Sequence, residues 1–342
     1  MSSSQTARSD RVLLADIGGT NARLAFMERG EIGPIEHLKV ADFPTASDAI
    51  GTFLSRHPVA RAGAAGAAAG VTTGVLGVAG PVENNRCTLI NSGWTIDGDE
   101  LQARFGFEAV RLLNDFEALA WALPALQPQD LFALGGQNPT PGAPMLAVGP
   151  GTGFGAACLV LRDPMPFAVV TEGGHATLPA TSEREARVIG CLRERFGHVS
   201  IERVLSGSGL EHLYQALAAI DGVAVPERDP AAITQAALDG SCGVCRAALD
   251  MFCAMLGSVA GNLALTFCAQ GGVYIAGGIV PRFAARLAES EFRTQFESKG
   301  RYVSYLRKIP TSIIIKPDVS FVGLKAFSER YMAAASAIRT RS

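Results

Sequence analysis

The apolar and polar positions of the chain predict two β-hairpins of the same design. In residues 12–26 an apolar run meets a polar, glycine-rich tip at residues 18–21 and then returns as a second apolar run, which is typical of two antiparallel strands joined by a turn. Residues 145–161 repeat this pattern around a tip at residues 149–153. The repetition indicates that one strand-turn-strand unit occurs twice in the chain.

The first tip has the composition of a phosphate-binding turn. Gly18 and Gly19 allow positive φ and can direct backbone N–H groups into one concavity. Thr20 and Asn21 add side-chain donors, and Asp16 stands where a Mg²⁺ ion with its waters would need a carboxylate. An ordinary hairpin turn explains the same residues. Two better-known phosphate motifs, G-x-x-x-x-G-K-[ST] and G-x-G-x-x-G, are excluded because each opens a helix, whereas an apolar strand follows this turn.

The rest of the pattern predicts an α/β protein with parallel strands. Short apolar runs predict buried strands at residues 73–82, 109–113, 167–171, 273–276 and 312–315. Helical patterns occupy residues 47–56, 116–123 and 321–337, and most of residues 183–267. In parallel sheets, ligands bind beyond the carboxyl ends of the strands, so the polar residues that follow these strands are the candidates for a site.

The length and composition predict two domains. The chain has 342 residues, of which 48% are apolar and 18% are charged, and this supports well-buried cores. We expect a small α/β domain at residues 1–125, to which a C-terminal helix at about 316–342 returns, and a large α/β domain at residues 126–315. Residues 124–144, rich in Pro, Gln and Gly, are interpreted as the connection, and the Ala/Gly segment at residues 60–70 as a surface loop or a helix extension.

The charge pattern favours small-molecule partners. The net charge is −2 and no block of like charge occurs, so we expect neither nucleic acid nor a membrane surface as a partner. The apolar stretch at residues 254–267 is broken by Gly257, Gly261 and Asn262 and predicts a buried helix rather than a membrane span. The Ser-rich residues 1–10 lack the apolar core of a signal peptide, which indicates a cytoplasmic protein.

The seven cysteines predict free thiols. Their number is odd and most stand in apolar surroundings, as expected in a reducing cytoplasm. Only Cys242 and Cys245 have the spacing of a metal or redox motif, and no second pair or nearby His completes the four ligands of a structural zinc site. We therefore expect no protein-ligated metal.

Asn114 and Asp115 follow the strand at residues 109–113 and are candidates for ligand binding. A carboxylate at a strand-to-helix turn lies where α/β sheets bind ligands. Asn114 together with Glu117 also resembles a capping box, which needs no further purpose. The pattern leaves both interpretations open.

Three other loops carry candidate polar residues or glycines. Glu172 and His175 flank a Gly-Gly pair after a predicted strand, although a His beside a Glu is often an ordinary loop contact. Glu202 could bind a ligand or simply complement the dipole of a helix that begins there. Gly277 and Gly278 follow another strand and suit either a plain turn or close packing against a flat adenine.

Six motifs occur in order between residues 12 and 283: D-x-G-G-T-N-x-R, L-N-D-F, G-P-G-T-G, E-G-G-H, E-R-V-L-S-G and Y-I-A-G-G-I-x-P. Together they make the chain similar to the bacterial glucokinase family, within the sugar kinase, actin and Hsp70 superfamily. The resemblance implies a two-domain, actin-like (ribonuclease H-like) ATPase fold with an interdomain cleft. It also implies a homodimer that uses ATP and Mg²⁺ to convert glucose to glucose 6-phosphate, the first step of glycolysis.

The same resemblance implies roles for individual residues. Asp115 would be the general base on the sugar 6-hydroxyl. Glucose would be held by Asn114, Asp115, Glu172, His175 and Glu202. Phosphates would be held by Asp16 through Mg²⁺, by Gly18, Gly19, Thr20 and Asn21, and by Gly151, Thr152 and Gly153, with Gly277 and Gly278 near the adenosine. Neutral sugars need many such hydrogen bonds, because each hydroxyl that is stripped of water must be paired again.

The chain departs from the family pattern at three places, and two other functions remain open. Asn84-Asn85 replaces a Gly-Asp pair, Asn91-Ser92 replaces Thr-Asn, and Leu205 to Gly209 has Ser for the usual Pro, which affects loop geometry. The zinc-binding Cys cluster of the repressor, open reading frame and kinase family is absent. The alternatives are a kinase for another hexose or an amino sugar, and a regulatory protein that binds sugar and ATP without turnover.

Overall fold

The computed structural model describes residues 11–57, 71–89, 92–162 and 166–339. The chain divides into two compact units, one of Met1–Ala125 with Asp318–Ser342 and the other of Leu126–Pro317. The Ala/Gly segment at residues 60–70 and Asn91 lie outside the described residues.

The elements follow one another in three stretches of the chain. Residues 11–125 form β1 (Arg11–Ile17), β2 (Asn21–Glu28), β3 (Glu31–Ile32), β4 (Glu36–Lys39), α1 (Ala46–Arg56), β5 (Val71–Val78), β6 (Arg86–Thr88), β7 (Thr95–Asp97), α2 (Gly98–Phe105), β8 (Ala109–Asn114) and α3 (Asp115–Ala122). The strands of residues 126–317 are β9 (Leu131–Gly135), β10 (Met145–Pro150), β11 (Phe154–Val160), β12 (Phe167–Thr171), β13 (Val273–Ile275) and β14 (Thr311–Ile314). Their helices are α4 (Glu183–Phe196), α5 (Ile201–Val204), α6 (Gly207–Asp221), α7 (Pro230–Leu238), α8 (Gly243–Thr266), α9 (Ala284–Glu289), α10 (Phe292–Glu297) and α11 (Val303–Lys308), and α12 (Val319–Arg339) ends the described chain.

The two units contain sheets of related topology. In the first unit the strand order is β3-β2-β1-β5-β8, with β4 also paired to β2. In the second unit it is β12-β11-β10-β13-β14-β9. The β1–β2 and β10–β11 pairs are antiparallel hairpins. On its other side each first strand begins a run of three parallel strands, β1-β5-β8 in the first sheet and β10-β13-β14 in the second. The duplicated strand-turn-strand unit that the sequence predicts is therefore present in both sheets.

The central strand of the first sheet is buried on both faces. Val12, Leu13, Leu14 and Ala15 are each 0% exposed, and they belong alternately to two apolar clusters on opposite sides of the sheet. One cluster includes residues of α1 and α2, and the other includes residues of α3 and α12. This two-sided cover explains why the first strand is a continuous apolar run rather than an alternating one.

Helix α8 lies at the centre of the second unit. It contacts α6, α7 and α10, and its residues are a large part of the apolar core. Among the described residues, α8 is the helix that could cross a membrane by length and composition, but 72% of its most apolar window is buried within the protein. The prediction of a buried helix here is confirmed.

Several predicted boundaries differ from the structure. The predicted connection at residues 124–144 contains strand β9, which pairs antiparallel with β14 at the edge of the sheet and whose short apolar run is hidden among turn-forming residues. Helix α6 begins at Gly207 rather than Leu210, because Ser206 caps it by accepting a hydrogen bond from the Gly209 N–H at 3.1 Å. The strand predicted at residues 73–82 ends at Val78.

Candidate active site

The first glycine-rich turn joins β1 and β2 and is closed by its own backbone. The Gly18 N–H donates to the Asn21 carbonyl at 2.9 Å, and the Thr20 carbonyl accepts from the Val40 N–H at 3.0 Å. Gly18 does not have positive φ, so that part of its predicted role is wrong. The side chains of Thr20 and Asn21 are exposed and are available to a ligand.

Asp16 belongs to a charged network at the base of this turn. It lies directly opposite Arg23 in the β1–β2 register, and the Arg23 guanidinium donates to its Oδ2. Arg23 also donates to Asp318 Oδ1 at 2.7 Å, and the Ser320 hydroxyl donates to Asp16 Oδ2. One cation therefore holds two carboxylates, and the network joins the hairpin to the start of α12.

Asn114 is the N-cap of α3, as the capping interpretation predicts. Its Oδ1 accepts from the Phe116 N–H at 2.9 Å and the Glu117 N–H at 3.4 Å. Its Nδ2 donates to the Gly80 carbonyl at 3.1 Å. An amide nitrogen carries two N–H groups, so one donor of Asn114 remains for a ligand hydroxyl.

Asp115 is the first residue of α3 and has the electrostatic setting of a base. Its Oδ1 accepts from the Phe116 N–H at 2.9 Å. Burial, followed by the negative charge of Asp16, raises the pKa of Asp115 to about 6, against the lowering effect of hydrogen bonds from the Phe116 and Asp115 N–H groups and from the Asn114 side chain. A strongly perturbed carboxyl at the end of a parallel strand is a candidate functional group.

Asn85 supports the strand that carries these two residues. Its Nδ2 donates to the Val110 carbonyl at 3.0 Å and its Oδ1 accepts from the Leu112 N–H at 2.9 Å, so the side chain pairs with the edge strand β8 as another strand would. Asn84 and Asn85 both have positive φ, at 50° and 59°. Asn tolerates this conformation, so the departure from the family pattern still forms an ordered loop.

The second glycine-rich turn joins β10 and β11 in the other unit. The Gly151 N–H donates to the Gly153 carbonyl at 2.7 Å, and the Gly151 carbonyl accepts from the Gly207 N–H, at the start of α6, at 3.0 Å. A Cβ on Gly151 would have nothing within 4 Å, whereas one on Gly153 would lie 2.2 Å from Glu202 Oε2. The exposed Thr152 stands between them.

Glu202 contacts the second turn directly. Its Oε2 accepts from the Phe154 N–H at 3.0 Å, and the residue also lies in the first turn of α5. Glu202 thus stands where a first-turn acid would, and the structure adds a contact that the sequence does not indicate; its role toward a ligand stays a prediction. The Oε2 atom of Glu202 thus holds the turn through the Phe154 N–H, and Oε1 is the atom that a ligand hydroxyl could contact.

Glu172 and His175 lie in exposed positions beside this turn. The His175 Nε2 is 3.8 Å from Glu172 Oε2, and their side chains are 61% and 65% exposed. The 3-10 turn Gly173–His175 contacts β11 and α5, and the Ile201 N–H donates to the Ala176 carbonyl at 2.9 Å. Glu172, His175 and Glu202 are therefore brought to one region of the second unit.

Gly277 fits against the second turn in a way that only glycine permits. It has φ of +96°, and a Cβ there would lie 2.4 Å from the Pro150 carbonyl oxygen. A Cβ on Gly278 would have nothing within 4 Å. Both glycines are exposed, so their backbone is accessible.

Asp16 is the residue that fits a magnesium ion. Mg²⁺ is usually held by one or two carboxylates together with waters and substrate phosphates. Among the described residues no group of three or more His, Cys, Asp or Glu side chains could hold a metal, so they form no all-protein cage. Asp16 lies near enough to Asp115 to raise its pKa, and this pair of carboxylates suits a hydrated ion that is shared with phosphates.

Sequence reasoning missed four residues of these networks. Arg23 lies inside the first motif, and its place opposite Asp16 could have been found from the hairpin register. Asp318 and Ser320 lie about 300 residues along the chain from their partners Arg23 and Asp16, and no motif in the sequence marks them. Asn85 was noted as a departure from the family, but not as a support for β8.

The comparisons with known proteins agree on one family. A family model described as Glucokinase matches residues 13–331. The chain is 45% identical to the glucokinase of Paramagnetospirillum magneticum over 92% of this chain and 97% of the relative, and 41% identical to that of Nitrobacter hamburgensis over 91% and 95%. A crystal structure of glucokinase from an Antarctic psychrotroph has a TM-score of 0.82 and 35% identity, covering 94% of this chain and 99% of that one.

These matches also confirm the predicted fold, because the solved relatives have the two-domain, actin-like architecture. The chain therefore belongs to the glucokinase family, as its six collinear motifs predict.

Proposed function

We propose that the protein transfers the γ-phosphate of ATP to the 6-hydroxyl of glucose, with Asp115 as the general base. Membership of the family makes the chain an ATP-dependent hexose kinase. The observation that carries the residue assignment is the position of Asp115 at the carboxyl end of β8 with a pKa of about 6. A base with a pKa near the working pH is ionised and still accepts a proton effectively.

The reaction needs little covalent help from the protein. The 6-oxygen attacks the γ-phosphorus while its proton passes to the Asp115 carboxylate, and the leaving group is ADP. Catalysis of phosphoryl transfer rests on positioning and charge neutralisation. The α3 N-terminus, with its cap at Asn114, fixes the backbone from which Asp115 projects.

The sugar is assigned to groups that the structure leaves accessible. We assign sugar hydroxyls to the remaining N–H of Asn114 and to the exposed Glu172 and His175. Glu202 is assigned a double role, in which Oε2 holds the Phe154 N–H and Oε1 accepts from the sugar. Carboxylates and amides suit this task because a neutral sugar offers only hydroxyl groups.

The nucleotide is assigned to the two turns and to the glycines after β13. Phosphate oxygens would accept from the turn at Gly18, Gly19, Thr20 and Asn21 in one unit and from the turn at Gly151, Thr152 and Gly153 in the other, with the Thr hydroxyls and the Asn21 amide as side-chain donors. The N–H groups of Gly18 and Gly151 bond within their own turns, so these two glycines would serve by leaving room for a phosphate beside the backbone. The solvent-exposed backbone at Gly277 and Gly278 suits the adenosine. Asp16 would hold Mg²⁺ through water, and the ion, when bound, would neutralise charge on the phosphates.

Two alternative functions are compatible with the same site residues, and the location and the oligomeric state are two further predictions. A kinase for another hexose or an amino sugar would use the same base with a different sugar contact set. A regulatory protein would bind sugar and ATP without turnover. A cytoplasmic location and a homodimer stay predictions, and light scattering coupled to size-exclusion chromatography would test the dimer.

A coupled assay that follows ADP release tests the proposed function. The full-length protein is assayed with Mg-ATP and a panel of glucose, mannose, galactose, N-acetylglucosamine and N-acetylmannosamine. We expect the highest kcat/KM with glucose. A higher kcat/KM with an N-acetyl sugar would move the assignment to an amino sugar kinase, and binding without turnover of any sugar would favour the regulatory protein.

The variant Glu172→Gln tests the sugar contacts more closely. A buried sugar hydroxyl that loses its charged hydrogen-bond partner costs about 1–3 kcal/mol, so kcat/KM for glucose should fall by about 5- to 150-fold while the order of preference among epimers changes. Glu183→Gln, an exposed acid at the start of α4, is the matched control and should behave as the parent. A uniform loss with every sugar would assign Glu172 to loop structure.

A further inference from the structure

The Cys242 and Cys245 pair is the one sequence motif that the kinase function does not use. Cys242 is the N-cap of α8, in the connection that follows α7, and its Sγ accepts from the Cys245 N–H at 3.4 Å. Cys245 is buried in the core, whereas Cys242 is half-buried. One sulfur is therefore accessible, and the other lies directly behind it.

The surroundings of Cys242 stabilise a thiolate. Its backbone is extended, with φ of −140° and ψ of 113°, which folds the side chain over the first turn of α8. Burial raises the pKa of Cys242, but hydrogen bonds from the Cys245 and Val244 N–H groups and from the Cys245 thiol, together with the nearby Arg228 guanidinium, bring it below the usual value.

The second thiol, that of Cys245, is held in its protonated form. Burial, its hydrogen bond to Cys242 and the charges of Cys242 and Asp239 together raise the pKa of Cys245 well above the usual value, and the nearby Arg228 opposes this only in part. The two sulfurs thus differ in the way that a nucleophilic and a resolving thiol differ. Tyr214 of α6 also faces the pair, and its hydroxyl donates to the Pro226 carbonyl at 3.1 Å.

We propose that Cys242 and Cys245 form a thiol–disulfide exchange site whose substrate is a small-molecule disulfide. The Cys242 thiolate attacks one sulfur of the disulfide RSSR, so that a Cys242–S–S–R bond forms and RS⁻ leaves. Cys245 then loses its proton and attacks the Cys242 sulfur, which releases a second RS⁻ and closes the Cys242–Cys245 bond. The dithiol gives up two electrons and two protons, and RSSR becomes two RSH.

Two simpler roles make different predictions. A zinc site needs four ligands, and among the described residues no group of three His, Cys, Asp or Glu side chains is close enough to hold a metal here. A plain helix cap needs only one acceptor at position 242, which serine supplies at least as well as cysteine. Neither role requires a second thiol three residues later.

Mass spectrometry of the full-length protein tests the proposal. The reduced protein is incubated with oxidised glutathione at pH 7, quenched in acid, alkylated and digested. The peptide that contains both cysteines should lose two hydrogens and take up no alkyl group. Cys245→Ser should instead retain one glutathione on Cys242, and Cys242→Ser should gain neither modification, because the attacking thiolate is gone.

Alkylation of the reduced protein with iodoacetamide provides an independent measurement. At pH 7, Cys242 should react at least about tenfold faster than the exposed Cys268, since the thiolate is the reactive form. Three results would overturn the proposal: a pair that stays reduced while Cys268 takes up glutathione, no mixed disulfide on Cys245→Ser, or a stoichiometric zinc ion that survives dialysis and blocks oxidation. None of these readouts depends on kinase activity.

Discussion

The two glycine-rich turns have the same strand plan but are stabilised by different interactions. Around the turn between β1 and β2 the side-chain contacts are ionic, because Arg23 pairs with Asp16 and Asp318. Around the turn between β10 and β11 all the contacts are made to the backbone: Gly277 packs on the Pro150 carbonyl, the Gly207 N–H bonds to the Gly151 carbonyl, and Glu202 accepts from the Phe154 N–H.

This difference predicts which changes each turn tolerates. A charge change should disrupt the first turn, where each carboxylate depends on the Arg23 guanidinium. An added methyl group should disrupt the second turn at crowded glycines and should be accepted at open ones. The first hairpin is thus sensitive to electrostatics and the second to volume, although the sequence presents them as copies.

The largest effect on stability should come from Gly277→Ala. The substitution places a Cβ 2.4 Å from the Pro150 oxygen in a backbone with φ of +96°. Strain and overpacking together should lower the free energy of unfolding by about 3–5 kcal/mol. Gly278→Ala is the matched control, since its Cβ meets nothing within 4 Å. Denaturant titrations should give a clearly lower free energy of unfolding for Gly277→Ala than for Gly278→Ala. Equal free energies of unfolding would show that crowding at Gly277 does not limit the second turn.

The next effect concerns the pH dependence of stability at Asp115. Its folded-state pKa of about 6 exceeds the ordinary value of 3.8, so its contribution to stability is complete below pH 3.8 and is lost as the pH rises through 6. Asp115→Asn should therefore be more stable than the parent by up to about 3 kcal/mol above pH 7, and by much less near pH 4. Chemical denaturation at several pH values measures this. A gap that does not change with pH would contradict the raised pKa.

Arg23→Met should have a smaller effect, of about 1–2 kcal/mol. It leaves Asp16 and Asp318 without their cation, and Asp16 is only 13% exposed. Arg23→Lys keeps the charge but lacks the fork that spans two carboxylates, so its loss should lie in between. Urea titrations at low and high salt would measure the series. A fully stable Arg23→Met would show that the first turn does not depend on the ion pairs.

The smallest effect on stability, within about 0.5 kcal/mol, should come from Gly151→Ala, because its Cβ has open space and φ is not positive. If the second turn binds phosphate, the KM for ATP should nevertheless rise, since the methyl group stands where an oxygen meets the backbone. Steady-state kinetics with saturating glucose give the KM. Parent-like ATP kinetics would make this turn purely structural.

The sequence predicted the hairpins and the polar strand ends because both depend on local order. The apolar run of residues 12–15 and the glycine tip are contiguous, and Asn114 and Asp115 follow their strand directly. Strand β9 was missed, because its five residues stand among turn formers and are stabilised only by pairing with β14, about 180 residues away.

Part of the candidate site also depends on contacts that no local pattern contains. The Arg23 bridge to Asp318 joins β2 to the start of α12, and the Glu202 contact with Phe154 joins α5 to the start of β11, 48 residues away. The requirement for glycine at position 277 is likewise non-local, because the atom that a side chain would meet there is the Pro150 carbonyl oxygen of another strand. Motif spacing identifies such residues as a set without showing which atoms they touch.

The turnover of Asp115→Asn tests the central claim most directly. With saturating glucose and Mg-ATP, kcat should fall by about 10² to 10⁴, the usual contribution of a general base, while calorimetry should find glucose bound within about tenfold of the parent affinity. Glu117→Gln makes the same chemical change two residues later on α3 and serves as the control. The expected gain in stability of Asp115→Asn at neutral pH separates loss of the base from unfolding. A kcat equal to that of the parent would contradict the assignment of Asp115 as the base.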